Sequence, residues 1–172
     1  MTVRKVVTPP NKTLRERARK VTSFGPEMQT LIEDMIETMR ASRGVGLAAP
    51  QIDVGQRVIV IEYAENAEDD EESSTPPTLY TVVNPEIVRH STRQVNGTEA
   101  CLSLPGYYGD VERYDGVTVK GFTRSGQPFK KKARGWLARI FQHEIDHLDG
   151  ILYIDRASQV WKAESEDIAD LV

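Results

Sequence analysis

The most informative pattern in the sequence is His143-Glu144-Ile145-Asp146-His147. On a helix, residues four positions apart lie one turn above each other, so both imidazoles can bind one metal ion. Glu144, beside the first histidine, can accept a proton from a water molecule bound to that ion. We interpret Asp146 as a group that positions the helix and not as a ligand. The pattern predicts a metal-dependent hydrolytic site, and the alternative is a pair of structural histidines with Glu144 in a surface ion pair.

A catalytic metal of this kind usually has three protein ligands and one open position, so one ligand is missing from the pattern. The candidates are His90, in a charged strand-edge context, and Cys101, the single cysteine of the chain. A thiolate with two imidazoles suits Zn or Fe(II), which favours Cys101 over its alternative role as a small buried hydrophobe. A turn at Asn96-Gly97 and a break at Pro105-Gly106 predict an extended segment around Cys101 that passes beside the metal-binding helix.

Two helices are predicted to support this site. From Met28 to Arg40, apolar residues recur at the three-four spacing of an amphipathic helix, and we expect its methionines to face the core. Residues 134–148 are predicted to form the second helix, which carries the two histidines and ends at Gly150.

Strand-forming segments surround the helices. They are residues 57–62, residues 79–83 followed by a turn at Asn84-Pro85, and a hairpin of residues 117–122 and 128–133. Residues 44–51, with two glycines, are predicted to form a loop. Runs of strands with two segregated helices indicate an α+β fold, with antiparallel or mixed sheets around the central metal-binding helix.

Length and composition predict one catalytic domain over residues 1–172. The net charge of −4 and the mixed charges indicate no polybasic nucleic-acid footprint, and no segment is apolar enough for a membrane span or a signal peptide. A single cysteine suits a reducing compartment, so we expect a cytoplasmic protein. Residues 64–77 are predicted to be a solvated acidic loop, and residues 162–172 a short acidic tail.

Three motifs resemble those of peptide deformylases. GVGLAAPQ at residues 44–51 is similar to the family's GxGLAAxQ loop, EACLS at residues 99–103 to its EGCLS segment, and HEIDH at residues 143–147 to its HExDH helix. They occur in the family's order, and the resemblance extends over residues 5 to 157. It implies a hydrolase that removes the formyl group from formyl-methionyl nascent peptides and releases formate. In that reaction metal-bound water attacks the formyl carbon, with Glu144 as general acid and base.

The resemblance also implies roles for individual residues. Cys101, His143 and His147 become the metal ligands, while the Gln51 amide and the Leu102 backbone N–H donate to the developing oxyanion. The resemblance implies substrate binding at Val45 and Gly46, with Tyr108 near the pocket mouth and Ala100 beside it, and helical spacing adds Trp136, Arg139 and Ile140. The last three share the helix face of His143, so Trp136 and Ile140 could pack against a methionine side chain beside the aliphatic stem of Arg139, although a core role suits Trp136 equally.

One divalent ion is implied, Fe(II) natively with Zn, Ni or Co as substitutes, although ligand chemistry alone does not separate Fe(II) from Zn. The implied partners are formylmethionyl nascent peptides and, transiently, the ribosome. Direct nucleic-acid binding is not evident from the sequence, and we expect a monomer without membrane contact. The acidic tail offers no basic helix for ribosome docking.

Ala100 departs from the family, which has glycine there. If the position requires a positive φ, its methyl group costs about 1 kcal/mol or narrows the substrate pocket. Two alternatives stay open. One is a different metallohydrolase, against which the Gln51 motif argues, and the other is a non-catalytic relative that binds blocked N-termini, which Ala100 alone supports.

Overall fold

A computed structural model describes residues 1–65 and 75–164 of the chain. The helices are α1 (Pro26–Ala41), α2 (Gly135–Leu148) and α3 (Tyr153–Arg156), with 3₁₀ helices at Lys12–Arg15 and Ala49–Ile52. The strands are β1 (Gly46–Ala48), β2 (Val58–Tyr63), β3 (Thr78–His90), β4 (Gln94–Glu99), β5 (Tyr107–Tyr114), β6 (Gly116–Phe122), β7 (Pro128–Arg134) and β8 (Gln159–Lys162). The predicted α+β fold is confirmed.

A five-stranded antiparallel sheet, ordered β1-β2-β3-β6-β7, separates the two long helices. Alternate residues of a strand face opposite sides of a sheet. Ile59 and Ile61 accordingly pack in the core cluster that contains α2, whereas Val58 and Val60 pack in the cluster that contains α1. This alternation explains why β2 is apolar on both faces.

Helix α1 confirms the prediction made for residues 28–40. Pro26 occupies the first turn, where its missing N–H costs no hydrogen bond. Met28, Met35 and Met39 are buried in the cluster that the helix forms with the sheet, so the methionine stripe faces the core as expected.

Helix α2 lies between the two sheets of the structure, and every residue from 137 to 148 is buried. The predicted end at Gly150 is confirmed. Gly150 has a φ of 75°, and the N–H groups of Gly150 and Ile151 donate to the carbonyls of His147 and Asp146. These bonds satisfy carbonyl groups that the end of the helix leaves unpaired.

The second sheet contains three antiparallel strands in the order β4-β5-β8. The predicted turn at Asn96-Gly97 is wrong, because both residues lie within β4 and pair with Glu112 and Val111 of β5. A Cβ atom at Gly97 would lie 2.7 Å from Cζ of Arg139, so the glycine permits the close approach of a side chain and not a turn.

The predicted turn at Asn84-Pro85 is also wrong, since β3 continues through it with a shift of register between Val83 and Glu86. Asn84 adopts a φ of 51°, and its side-chain amide bonds the N–H and carbonyl of Val21 at 2.8 and 3.0 Å. The two residues therefore form an irregularity inside a long strand.

The predicted loop at residues 44–51 instead contains β1 and the Ala49–Ile52 3₁₀ helix. Residues 66–74 of the predicted acidic loop and residues 165–172 of the predicted tail lie outside the described residues. None of the described helices combines the length and apolar composition needed to cross a bilayer. The single domain over residues 1–172 stays a prediction.

Candidate active site

Cys101, His143 and His147 come together although 42 residues separate the cysteine from the first histidine. One ligand atom from each lies within 4.8 Å of the others, and all three side chains are buried. The Sγ atom of Cys101 is 3.4 Å from Nε2 of His147, and the ring centroids of His143 and His147 are 5.1 Å apart. His90, the other candidate, lies elsewhere, exposed and stacked on Tyr114.

Glu99 orients the first histidine. Its carboxylate lies 2.8 Å from Nδ1 of His143 and also accepts hydrogen bonds from Arg113 at 2.9 Å and Arg139 at 2.6 Å. Because an ionised carboxylate only accepts, the Nδ1 atom of His143 carries the proton and its Nε2 atom is left for the site. Glu99 was not predicted as a functional residue, although its place in the EACLS motif could have indicated it.

Charged groups extend this arrangement outward. Asp146 accepts hydrogen bonds from Arg113 at 2.6 Å and from Arg156 at 2.6 and 3.0 Å. The side chain of Asp146 therefore braces α2 and lies outside the ligand group, as expected. Burial alone would raise the pKa of Glu99, but hydrogen bonds from Arg113 and His143 outweigh it and hold that pKa well below its usual range.

The two histidines differ in their proton affinity. Burial alone would lower the pKa of His143, but hydrogen bonds with Cys101 and Glu99 reverse the effect and raise it to about 10. Burial, together with the charge of His143, lowers the pKa of His147 well below its ordinary value. A metal ion bound between them would compete with the proton on His143, so metal affinity is expected to depend on pH.

Glu144 lies beside the ligand group and against the backbone of β1. Its side chain is 1 % exposed, and burial raises its pKa to about 7. Its Oε2 atom has no hydrogen-bond partner among the residues that the structure describes. A Cβ atom at Gly46 would lie 2.6 Å from Oε1 of Glu144, so only glycine leaves room for the carboxylate there.

Gln51 is held in a fixed orientation by three hydrogen bonds. The Ala48 N–H donates to its Oε1 atom at 3.0 Å, so its NH₂ group points the other way. That NH₂ group donates to Sγ of Cys101 at 3.4 Å and to Oγ of Ser103 at 3.2 Å. Ser103 is fully buried and had no predicted role. The backbone N–H of Leu102 donates no hydrogen bond within residues 1–65 and 75–164.

The predicted substrate-binding residues divide into two groups. Val45 and Gly46 lie at β1, where Gly46 approaches Glu144, and Ala100 directly precedes Cys101. Tyr108 lies on β5, and the centroids of its ring and of the Trp161 ring on β8 are 6.2 Å apart. The group from α2 has structural contacts. Ile140 is fully buried in the core cluster, and Trp136 packs against that cluster. The Cζ atom of the Arg139 guanidinium lies over the Trp136 ring, 5.3 Å from its centroid.

Arg139 also donates to the carbonyls of Val95 and Val111. The guanidinium of Arg139 is thus part of the hydrogen-bond network around Glu99, whereas the sequence had predicted a role only for its aliphatic stem, in substrate binding.

Ala100 does not have the backbone strain that a positive φ would cause. The non-glycine residues with positive φ in the described part of the chain are Arg43, Asp53 and Asn84, and Ala100 is not among them.

The donor set fits a divalent transition metal. A thiolate with two imidazoles suits zinc or ferrous iron, and three protein ligands leave a coordination position for water or substrate. Glu99 fixes the tautomer of His143, and the unpaired Oε2 atom of Glu144 lies beside the ligands. The arrangement can therefore hold a metal and carry out acid–base chemistry next to it.

Comparison with known proteins agrees with this geometry. The model of the family described as polypeptide deformylase matches residues 3–163. The chain belongs to the polypeptide deformylase family. Peptide deformylase 1 of Bacillus subtilis is 43% identical over 171 residues, which cover 99% of each chain. The peptide deformylase of Symbiobacterium thermophilum is 46% identical over 167 residues, covering 97% of this chain and 72% of the relative.

Solved deformylase structures share the fold. The peptide deformylase of Legionella pneumophila aligns with a TM-score of 0.79 and 43% identity, covering 91% of this chain and 87% of its own. The Ehrlichia chaffeensis peptide deformylase in complex with actinonin aligns with a TM-score of 0.83 and 37% identity, covering 92% and 91%. The resemblance inferred from the three motifs is confirmed.

Proposed function

We propose that this chain removes the formyl group from the N-terminal formyl-methionine of nascent peptides and releases formate. The observation that carries the proposal is the group of Cys101, His143 and His147, with Glu144 beside it on the same helix. Membership of the deformylase family supports the reaction, as does the binding of actinonin by the Ehrlichia relative.

We further propose one divalent ion as cofactor, ferrous iron in the cell, with zinc, nickel or cobalt as substitutes. Cys101, His143 and His147 would hold it. When bound, the ion would supply Lewis acidity, which lowers the pKa of water and polarises a carbonyl oxygen. The remaining steps belong to side chains and backbone groups of this chain.

Glu144 moves the proton in this proposal. It accepts a proton from the attacking water, whose oxygen adds to the formyl carbon. It then donates that proton to the amine as the carbon–nitrogen bond breaks, so formate and a free amino terminus result. Without a bound metal ion, burial raises the pKa of Glu144 to about 7, and a general acid–base works best when its pKa is near the working pH.

Gln51 and Leu102 stabilise the negative charge that develops on the formyl oxygen. Fixed donors in a buried site can contribute several kcal/mol to such a step. Two observations support these roles. Ala48 fixes the orientation of the Gln51 amide, and the Leu102 N–H has no acceptor among the described residues.

The peptide is proposed to bind along β1. This strand is an edge of the five-stranded sheet, and an extended peptide can add to such an edge through main-chain hydrogen bonds. Val45 and Gly46 would contact its backbone, with Ala100 and Tyr108 near the formylated residue. Cytoplasmic location, a monomeric state and transient contact with the ribosome stay predictions.

Formate release from formyl-Met-Ala-Ser tests the proposal. Protein purified without oxygen is loaded in parallel with Fe(II), Ni(II) and Zn(II), and compared with Glu144→Ala. We expect metal-dependent release that the variant loses while it keeps about one metal ion per chain. Equal hydrolysis of acetyl-Met-Ala-Ser would indicate a different amidase. Fully loaded wild type that binds formyl-Met-Ala-Ser without releasing formate would instead indicate a non-catalytic protein.

A further inference from the structure

A group of exposed cations lies on the face of the five-stranded sheet that points away from α2. We call Arg89, Lys120, Lys130, Lys132 and Arg134 the basic face, and all five are exposed. The register places them in three neighbouring cross-strand rows, Glu86–Lys120–Lys130, Arg89–Thr118–Lys132 and Gly116–Arg134. Residues directly opposite each other share a face, so these side chains project together.

None of the five cations forms an ion pair or a side-chain hydrogen bond with any residue in the described ranges 1–65 and 75–164. Lys131 provides a contrast on the same strand. Its side chain projects to the opposite face, where it forms an ion pair with Glu65 at 2.8 Å. Within the described part of the chain, an ion-pair partner is therefore present for the inward lysine of β7 and none is found for the outward cations.

The arrangement carries a cost for the folded state. Lys120 lies directly opposite Lys130, where like charges destabilise a sheet, and on its other side it lies opposite Glu86, whose charge offsets part of that cost. Along β7, Lys130, Lys132 and Arg134 follow one another at about 7 Å, since alternate residues share a face. The whole chain has a net charge of −4, so this concentration does not reflect a basic protein.

An open cleft beside the basic face extends it. Arg17 and Lys20, both exposed, line this cleft together with Lys120 and Lys130. Of the three carboxylates that line the cleft, Asp149 pairs with Arg57 and Asp146 pairs with Arg113 and Arg156. Glu86 is exposed and is the one acidic side chain in the rows of the basic face, against five cations.

We propose that the basic face binds the phosphate backbone of a nucleic acid without reading its bases. An extended polyanion fits a linear array of separate cations better than a small anion, which would need converging donors. Lysine and arginine contacts to phosphates give affinity that falls steeply with salt and depends little on sequence. The net charge concealed this surface in the sequence, because the cations come from three strands and cancel against acidic residues elsewhere.

This binding is separable from hydrolysis, since the candidate active site lies on the α2 side of the sheet. The test uses the metal-loaded full chain and a fluorescein-labelled single-stranded RNA, with anisotropy measured between about 50 and 200 mM salt. Five phosphate contacts predict a slope of about −3.5 for log Kobs against log salt. A variant with Lys130→Gln, Lys132→Gln and Arg134→Gln should reduce the slope to about −1.4 and keep full formate release.

The matched control carries Lys5→Gln, Lys12→Gln and Lys162→Gln, which remove three exposed cations from outside the basic face. We expect it to bind RNA with the slope of the wild type. Single-stranded DNA and duplex RNA should bind by the same face. Equal loss in both variants, absence of salt-dependent binding, or selective binding to phosphatidylserine vesicles in place of RNA would each overturn the proposal.

Discussion

Replacing Gly46 by alanine should displace the proposed general acid–base without touching a metal ligand. The added Cβ would lie 2.6 Å from Oε1 of Glu144 and 3.0 Å from both Cδ and Cγ. Ordinary contacts begin at 3.4 Å, so the carboxylate oxygen must move by 3.4 − 2.6, about 0.8 Å. Glu144 is 1 % exposed, so it cannot swing into solvent to relieve the clash.

A displacement of about 1 Å can lower a rate about 100-fold, which corresponds to about 3 kcal/mol in the activation free energy. We therefore expect kcat for formyl-Met-Ala-Ser to fall by about two orders of magnitude in Gly46→Ala. Metal content per chain should stay at the wild-type value, because the three atoms nearest to the added Cβ all belong to Glu144.

Gly55→Ala is the matched control, since an added Cβ there would have no atom within 4 Å and its backbone needs no positive φ. It should keep wild-type kcat. The assay pairs formate release with metal analysis and the melting temperature of each variant. A Gly46→Ala enzyme with unchanged kcat, or one whose loss of activity follows loss of metal, would refute the reasoning.

Four further outcomes are expected. Glu99→Gln should weaken metal affinity by about 10- to 100-fold in a chelator competition, because His143, a proposed metal ligand, loses its carboxylate partner. Ser103→Ala should lower kcat about fivefold and leave KM unchanged, with recovery in Ser103→Thr, since one hydrogen bond orienting Gln51 is lost. Ala100→Gly should change turnover by less than about threefold and cost about 0.5–1 kcal/mol in chemical denaturation, because no strain is relieved. In metal-stripped protein, burial raises the pKa of Glu144 from 4.5 to about 7. Its protonated form therefore stabilises the fold below about pH 4.5, and this contribution is lost as the pH rises through 7. The melting temperature relative to Glu144→Gln should fall between pH 5 and pH 8, and a constant difference would contradict this.

Sequence patterns that depend on residues close together in the chain predicted the two long helices correctly. The spacing of the methionines indicated α1, and the four-residue spacing of His143 and His147 placed both on one face of α2. Such periodicity is local, because one helical turn relates residues three or four positions apart. The identity of Cys101 as a candidate ligand followed from the chemistry of zinc and iron, which needs no knowledge of the fold.

Turn predictions from pairs of turn-forming residues were less reliable. Asn84-Pro85 and Asn96-Gly97 are turn-forming pairs, yet both lie within strands. In each case a distant group decides the conformation. The backbone of Val21 bonds the Asn84 side chain, and the guanidinium of Arg139 packs against Gly97. Tertiary contacts overrode the turn preference of these residues.

The sequence by itself determined the family and the two long helices and predicted the donor set, because these follow from residue types, motif order and helical spacing. Only the tertiary structure decided which groups surround the donors. These groups are Glu99 on His143, Ser103 on Gln51 and Gly46 against Glu144, which are contacts between residues 44 to 98 positions apart in the chain. The pairing of β3, β6 and β7 likewise brought the cations of the basic face together. Contacts of this range depend on strand register and on the packing of α2 between two sheets, which no local pattern specifies.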